Sequence, residues 1–90
     1  MSNFEKALER IKSIPKDYTY SEMTNLLKML GFVQMKQGKT GGSRRKFYRD
    51  YDKRIFMCHQ PHPKDVMPAY ATKKFMEFLK GIGELWKMIY

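Results

Sequence analysis

Gly31 divides this chain into two periodicities, and the change of period there sets the kind of fold the sequence can adopt. Upstream, apolar residues recur at helical spacing. Phe4, Ala7, Leu8, Ile11 and Ile14 form one stripe, with Ser2 and Glu5 spaced as a capping box at its start and Pro15 at its end. A second helix opens at Thr19, where Glu22 completes another capping box, and carries Met23, Leu26, Leu27 and Leu30 on one face. Gly31 supplies the left-handed residue that closes such a helix.

Downstream, the pattern is that of short strands. Residues 32–36 are apolar enough for a strand, and Gly38-Lys39-Thr40-Gly41-Gly42-Ser43 has the composition of a loop. Arg45, Phe47, Arg49 and Tyr51 then alternate with Arg44, Lys46, Tyr48 and Asp50. Asp50-Tyr51-Asp52-Lys53 predicts a turn before the apolar run Ile55-Phe56-Met57-Cys58. The prolines of His59-Gln60-Pro61-His62-Pro63 place both histidines on an extended loop outside any central strand. Pro68 suits the first turn of a last helix, buried through Ala71, Phe75, Phe78, Leu79 and Ile82. The order predicts an α+β domain in which helices cover one face of a three-stranded antiparallel sheet and leave the other exposed. All 90 residues form one unit, residues 1–14 being an additional N-terminal helix and residues 84–90 an apolar tail that meets either the core or another chain.

The charge is concentrated in the strand region. The chain carries 18 Lys+Arg against 9 Asp+Glu, a formal net charge of +9. Residues 36–54 hold eight of those cations and two of the anions, hence +6 of the total. Lys39, Arg44, Arg45, Lys46, Arg49 and Arg54 belong to this patch, and Phe47, Tyr48 and Tyr51 interleave it. Such a cluster attracts polyanions, nucleic acid above all. With 42% hydrophobic residues the chain is too apolar for a disordered basic tail. No stretch approaches the ~18 uninterrupted apolar residues of a membrane span. A lone cysteine and the absence of a signal-like opening predict an intracellular, cytoplasmic protein.

The residue types narrow the chemistry further. The glycine-rich run lacks the Gly-Lys-Ser/Thr ending of a nucleotide-binding loop, and neither Cys58-His59 nor the scattered acids have metal-ligand spacing, so no metal or cofactor is expected. Nothing beside Cys58 favours a thiolate, which predicts a packing role. Histidine is the natural acid/base near neutral pH, and the chain has two, His59 and His62. Three residues apart in extended chain, they stand roughly 10 Å from each other on opposite sides, so one at most addresses a given phosphate. Structural bonding of the loop backbone is the competing role for both.

Specific strings now resemble a known family. Ser13-Ile14-Pro15-Lys16-Asp17-Tyr18-Thr19, Leu26-Leu27-Lys28-Met29-Leu30-Gly31-Phe32, Gly38 to Arg44 before a basic strand, and His59-Gln60-Pro61-His62-Pro63 before the last helix are similar, in order and spacing, to HicA (YcfA-like) toxins. The resemblance covers roughly residues 13–82. It implies a fold like the double-stranded-RNA-binding domain with an α-β-β-β-α core, and a metal-independent endoribonuclease acting on mRNA and neutralised by a HicB-like antitoxin. The charge of Arg44, Arg45, Lys46 and Arg49 predicts phosphate clamping, and with Lys39, Ser43 and Arg54 they make up the expected RNA-binding surface. Typical members read Gly-Ser-His at the glycine loop, with that histidine catalytic. Here Arg44 follows Gly42-Ser43, and a guanidinium stays protonated. The sequence therefore leaves two readings: an interferase using His59 or His62 as a substitute, and a non-catalytic module that binds RNA or the antitoxin.

Overall fold

The structure is a computed structural model and describes residues 3–36 and 42–85. The elements run α1 (Asn3–Lys12), α2 (Tyr20–Met29), β1 (Val33–Gln34), β2 (Arg44–Arg49), β3 (Arg54–His59) and α3 (Ala69–Gly81). The three strands form one antiparallel sheet in the order β1-β2-β3, the three-stranded antiparallel sheet that the sequence predicts. No helix among the described residues is long and apolar enough to cross a membrane.

Local chemistry explains the helix ends. At α2 the Thr19 side chain accepts from the Glu22 backbone N–H at 3.1 Å, and the Glu22 carboxylate accepts from the Thr19 N–H at 3.2 Å. Gly31, at φ 94°, occupies the left-handed position after the C-cap Leu30. The first helix stops earlier than Pro15 suggests. A residue before proline is pushed out of the right-handed helical region, and Ile14 adopts φ 47°, so α1 closes at Lys12 with the Ser13 hydroxyl donating to the Arg10 carbonyl at 2.8 Å. Ser2 and its part of the expected capping box lie outside the described residues. Pro68 is the N-cap of α3, one position before the helix begins.

The core lies between the helices and one face of the sheet. Leu8 and Ile11 of α1, Met23, Leu26 and Leu27 of α2, Phe47 and Phe56 of the strands, and Phe75 and Leu79 of α3 are buried together. Phe56 meets Phe78 at 4.7 Å and Phe75 at 5.3 Å between ring centroids, pairs that add roughly 0.5–1.5 kcal/mol each beyond their burial. Leu85 is buried in the same core, while the rest of the expected apolar tail, residues 86–90, lies outside the described residues.

The segment between β3 and α3 is fastened to the start of α2. Thr19 and Val66 form an antiparallel bridge, Tyr20 N–H donates to the Asp65 carbonyl and Met67 N–H to the Tyr18 carbonyl, each at 2.8 Å. The Asp65 carboxylate accepts from the Ser21 hydroxyl at 2.6 Å and from its N–H at 3.1 Å, placing an anion at the positive end of α2. This clasp fixes where the Pro-rich segment leaves the sheet.

Candidate RNA-binding face

Register decides which of the basic side chains share a surface. The β2–β3 hairpin pairs Arg44 with His59, Arg45 with Cys58, Lys46 with Met57, Phe47 with Phe56, Tyr48 with Ile55 and Arg49 with Arg54. Directly opposed residues point to the same side of a sheet, so the pairs alternate between its two faces. Phe47 and Phe56 mark the helix-facing side, and Arg45, Cys58, Arg49 and Arg54 stand on it with them. Arg44, His59, Lys46, Met57, Tyr48 and Ile55 occupy the open side. β1 adds Val33 opposite Tyr48, and the pairing extends to Met35, whose N–H donates to the Lys46 carbonyl at 2.8 Å.

The open face therefore carries three rows: Val33–Tyr48–Ile55, then Met35–Lys46–Met57, then Arg44–His59. Its apolar members are solvent-facing, with Val33 64%, Ile55 50%, Met57 50% and Met35 42% exposed. The apolar run from Ile55 to Cys58 is divided between the two faces: Phe56 is buried and Cys58 half-buried, whereas Ile55 and Met57 face water.

His59 is the last residue of β3, where the prolines suggest a loop. The two prolines act only after it, since the Gln60 N–H still donates to the Ser43 carbonyl at 2.8 Å and prolongs the ladder by one pair. Its Nδ1 lies 3.2 Å from the Ser43 hydroxyl oxygen. In the tautomer whose Nδ1–H donates to that oxygen, Nε2 presents its lone pair as a base. Ser43, Arg44, Lys46 and His59 thus come together on one exposed face, around a cross-strand imidazole and guanidinium.

The remaining expected residues stand elsewhere. Arg45 is half-buried on the other side, where its Nη1 donates to the carbonyls of Gly42 at 2.8 Å and Arg44 at 3.0 Å and braces the start of β2. Arg54 lies at the hairpin end, exposed, with Nε 3.7 Å from the Asp52 carboxylate. His62 is exposed on the bend that follows β3. Lys39 lies outside the described residues.

Arg49 is a correction. The phosphate-clamping role expected of it is incompatible with a residue that is 2% exposed. Its Nε and Nη2 donate to the two Asp52 carboxylate oxygens at 3.1 and 2.7 Å, and Nη1 donates to the Leu30 carbonyl at 3.1 Å. Nη1 also lies 3.6 Å from the buried Glu84 carboxylate. The guanidinium carbon sits 4.7 Å from the Phe32 ring centroid and 4.6 Å from that of Tyr51. Arg49 therefore ties the end of α2 to the hairpin.

Electrostatic shifts follow these contacts. Hydrogen bonding to Arg49 holds the Asp52 carboxyl below its usual range, and Arg10 does the same for Glu22. Burial pushes the Cys58 thiol up to about 11, which leaves it protonated at neutral pH and agrees with a packing role. Among the described residues no group of three or more His, Cys, Asp or Glu side chains could hold a metal ion.

The open-face apolar residues were not singled out by sequence reasoning, although a signal for them exists. Once the turn at residues 50–53 is placed, the register follows, and every second residue of 55–59 falls on the side of Lys46. No family model, curated protein or solved structure matches the chain.

Proposed function

We propose that this protein is an RNA-cleaving toxin of the HicA kind, in which His59 performs the acid/base work that the motif histidine performs in typical members. The observation that carries the proposal is the pairing of Arg44 with His59. Arg44 holds the motif position, and the imidazole stands directly across the ladder from it, beside Ser43. The α2-β1-β2-β3-α3 order is consistent with a core like that of the double-stranded-RNA-binding domain.

On this reading Arg44 and Lys46 hold the phosphate and offset the charge that builds on it. His59 Nε2 takes the proton of the 2′-hydroxyl, whose oxygen attacks the adjacent phosphorus. The bond to the 5′-oxygen breaks, that oxygen takes a proton from water, and a 2′,3′-cyclic phosphate remains. The hydroxide formed neutralises the imidazolium, so the cycle closes without metal or cofactor. The substrate is mRNA in the cytoplasm, and a HicB-like antitoxin neutralises the protein by covering the same basic face.

Induced expression followed by primer-extension mapping of cellular mRNA tests this directly. Expected results are growth arrest and new 5′ ends in the wild type, loss of both in His59→Ala, and retention of cleavage in His62→Ala. The second reading, a non-catalytic module that binds RNA or the antitoxin, rests on Arg44 standing at the motif position. It predicts salt-dependent RNA affinity with no turnover in vitro and no difference between wild type and His59→Ala.

A further inference from the structure

Four exposed apolar side chains share the open face with Arg44 and Lys46, and phosphate binding gives them no role. Val33, Ile55, Met57 and Met35 surround Tyr48 and Lys46 across all three strands. Successive rows stand ~7 Å apart, as two residues of a strand require. The Met35–Lys46–Met57 row thus lies immediately beside the Arg44–His59 row, and the Val33–Tyr48–Ile55 row one step beyond it. Along the outer edge of β3, Ile55 and Met57 also share a shallow depression with Lys46, Lys74, Glu77 and Phe78, which carries two cations, one anion and apolar side chains over the sheet edge.

We infer that this face is a platform for unpaired RNA, with bases laid on Tyr48, Ile55 and Met57 and the neighbouring phosphate held over Arg44 and His59. The inference deepens the RNA-cleaving reading and rests on it. The charge of the strand region selects a polyanion: residues 36–54 carry +6, and Arg44 and Lys46 of the open face are exposed. The apolar rows then choose among polyanions. A duplex offers proteins its phosphates, sugars and groove edges while its base faces stay stacked inside, so it would desolvate its backbone against four hydrophobic side chains. A single strand has base faces to lay on them and phosphates for the cations, the combination found in single-strand-binding surfaces.

The test uses the full chain and fluorescence anisotropy with a 12-nucleotide RNA made uncleavable by 2′-O-methylation, against the same sequence annealed to its complement. The single strand is expected to bind at least tenfold more tightly at physiological salt. The Ile55→Ser/Met57→Ser double variant, altered only at exposed positions, should keep the wild-type circular dichroism and thermal midpoint. It should weaken single-strand binding by roughly tenfold or more with an unchanged salt slope, as expected for lost stacking. Lys46→Gln should lower the salt slope by about one phosphate contact. Equal or tighter duplex binding, or unchanged affinity in the double variant, overturns the platform while leaving RNA cleavage intact. Failure to bind either RNA, with an acidic apolar peptide binding instead, overturns the RNA-directed reading itself.

Discussion

Arg49 and Leu30 are joined by a hydrogen bond of 3.1 Å from the guanidinium Nη1 to the backbone carbonyl at the end of α2. The contact places a cation where the helix leaves its last carbonyls unsatisfied and its dipole is negative. Because Asp52 and the buried Glu84 face the same guanidinium, Arg49 links α2, the β2–β3 turn and the chain beyond α3.

Removing this side chain should therefore unsettle three regions together. Arg49→Ala is expected to cost roughly 3–5 kcal/mol, since it removes at once the forked pair with Asp52, the bond to the Leu30 carbonyl and the buried ion pair with Glu84. Arg49→Lys should recover only part of that loss, because an ammonium cannot donate the forked pair to Asp52 while also reaching Leu30. Urea unfolding followed by circular dichroism measures both. A loss below 1 kcal/mol for Arg49→Ala would show that the cluster contributes little.

Acid should weaken the fold through two carboxylates. Glu22 and Asp52 are held below their ordinary values of 4.5 and 3.8 by Arg10 and Arg49. A depressed folded-state value contributes stability above the unfolded value, and that contribution disappears as the pH falls through the folded one. Stability should thus begin to decline near pH 4.5 and continue downward below pH 3.8. Glu22→Gln and Asp52→Asn should each be less stable at pH 7 and show a shallower acid limb in thermal melts across pH 2–7. An acid limb as steep in both variants as in the wild type would assign the sensitivity to other groups.

The Cys58 thiol should react slowly. Half-buried against the core and titrating at about 11, it presents little thiolate at pH 8. Alkylation by iodoacetamide is expected to run at least tenfold slower than for a free thiol and to accelerate in urea. A reaction midpoint near pH 8.5 in the folded protein would contradict this placement.

How much of this was legible depends on how local each cause is. The capping box at Thr19 and Glu22, the closure at Gly31 and the turn at residues 50–53 involve neighbours in sequence, and all three appear where the sequence puts them. The alternation of β2 likewise sorted Arg44, Lys46 and Tyr48 from Arg45, Phe47 and Arg49. It left undecided which set faced the core, and an arginine reads as solvent-facing. The burial of Arg49 is not legible locally because its reasons lie far off in sequence, at Leu30, Phe32 and Glu84. His59 reads as loop in the sequence because of the prolines after it, whose effect begins one position later, past the end of β3. The first helix shows the opposite error, with Pro15 acting through Ile14 to end it sooner.

The bridge between Thr19 and Val66 makes a closed circuit of the chain between them. Within that circuit lie α2 and the whole sheet; α1 and α3 are attached from outside it. Opening the first turn of α2 thus releases Asp65 from Ser21 and loosens the anchorage of the segment that carries His62. The circuit behaves as a buckle, and the far end of the Pro-rich segment inherits the rigidity of a helix that is remote from it in sequence.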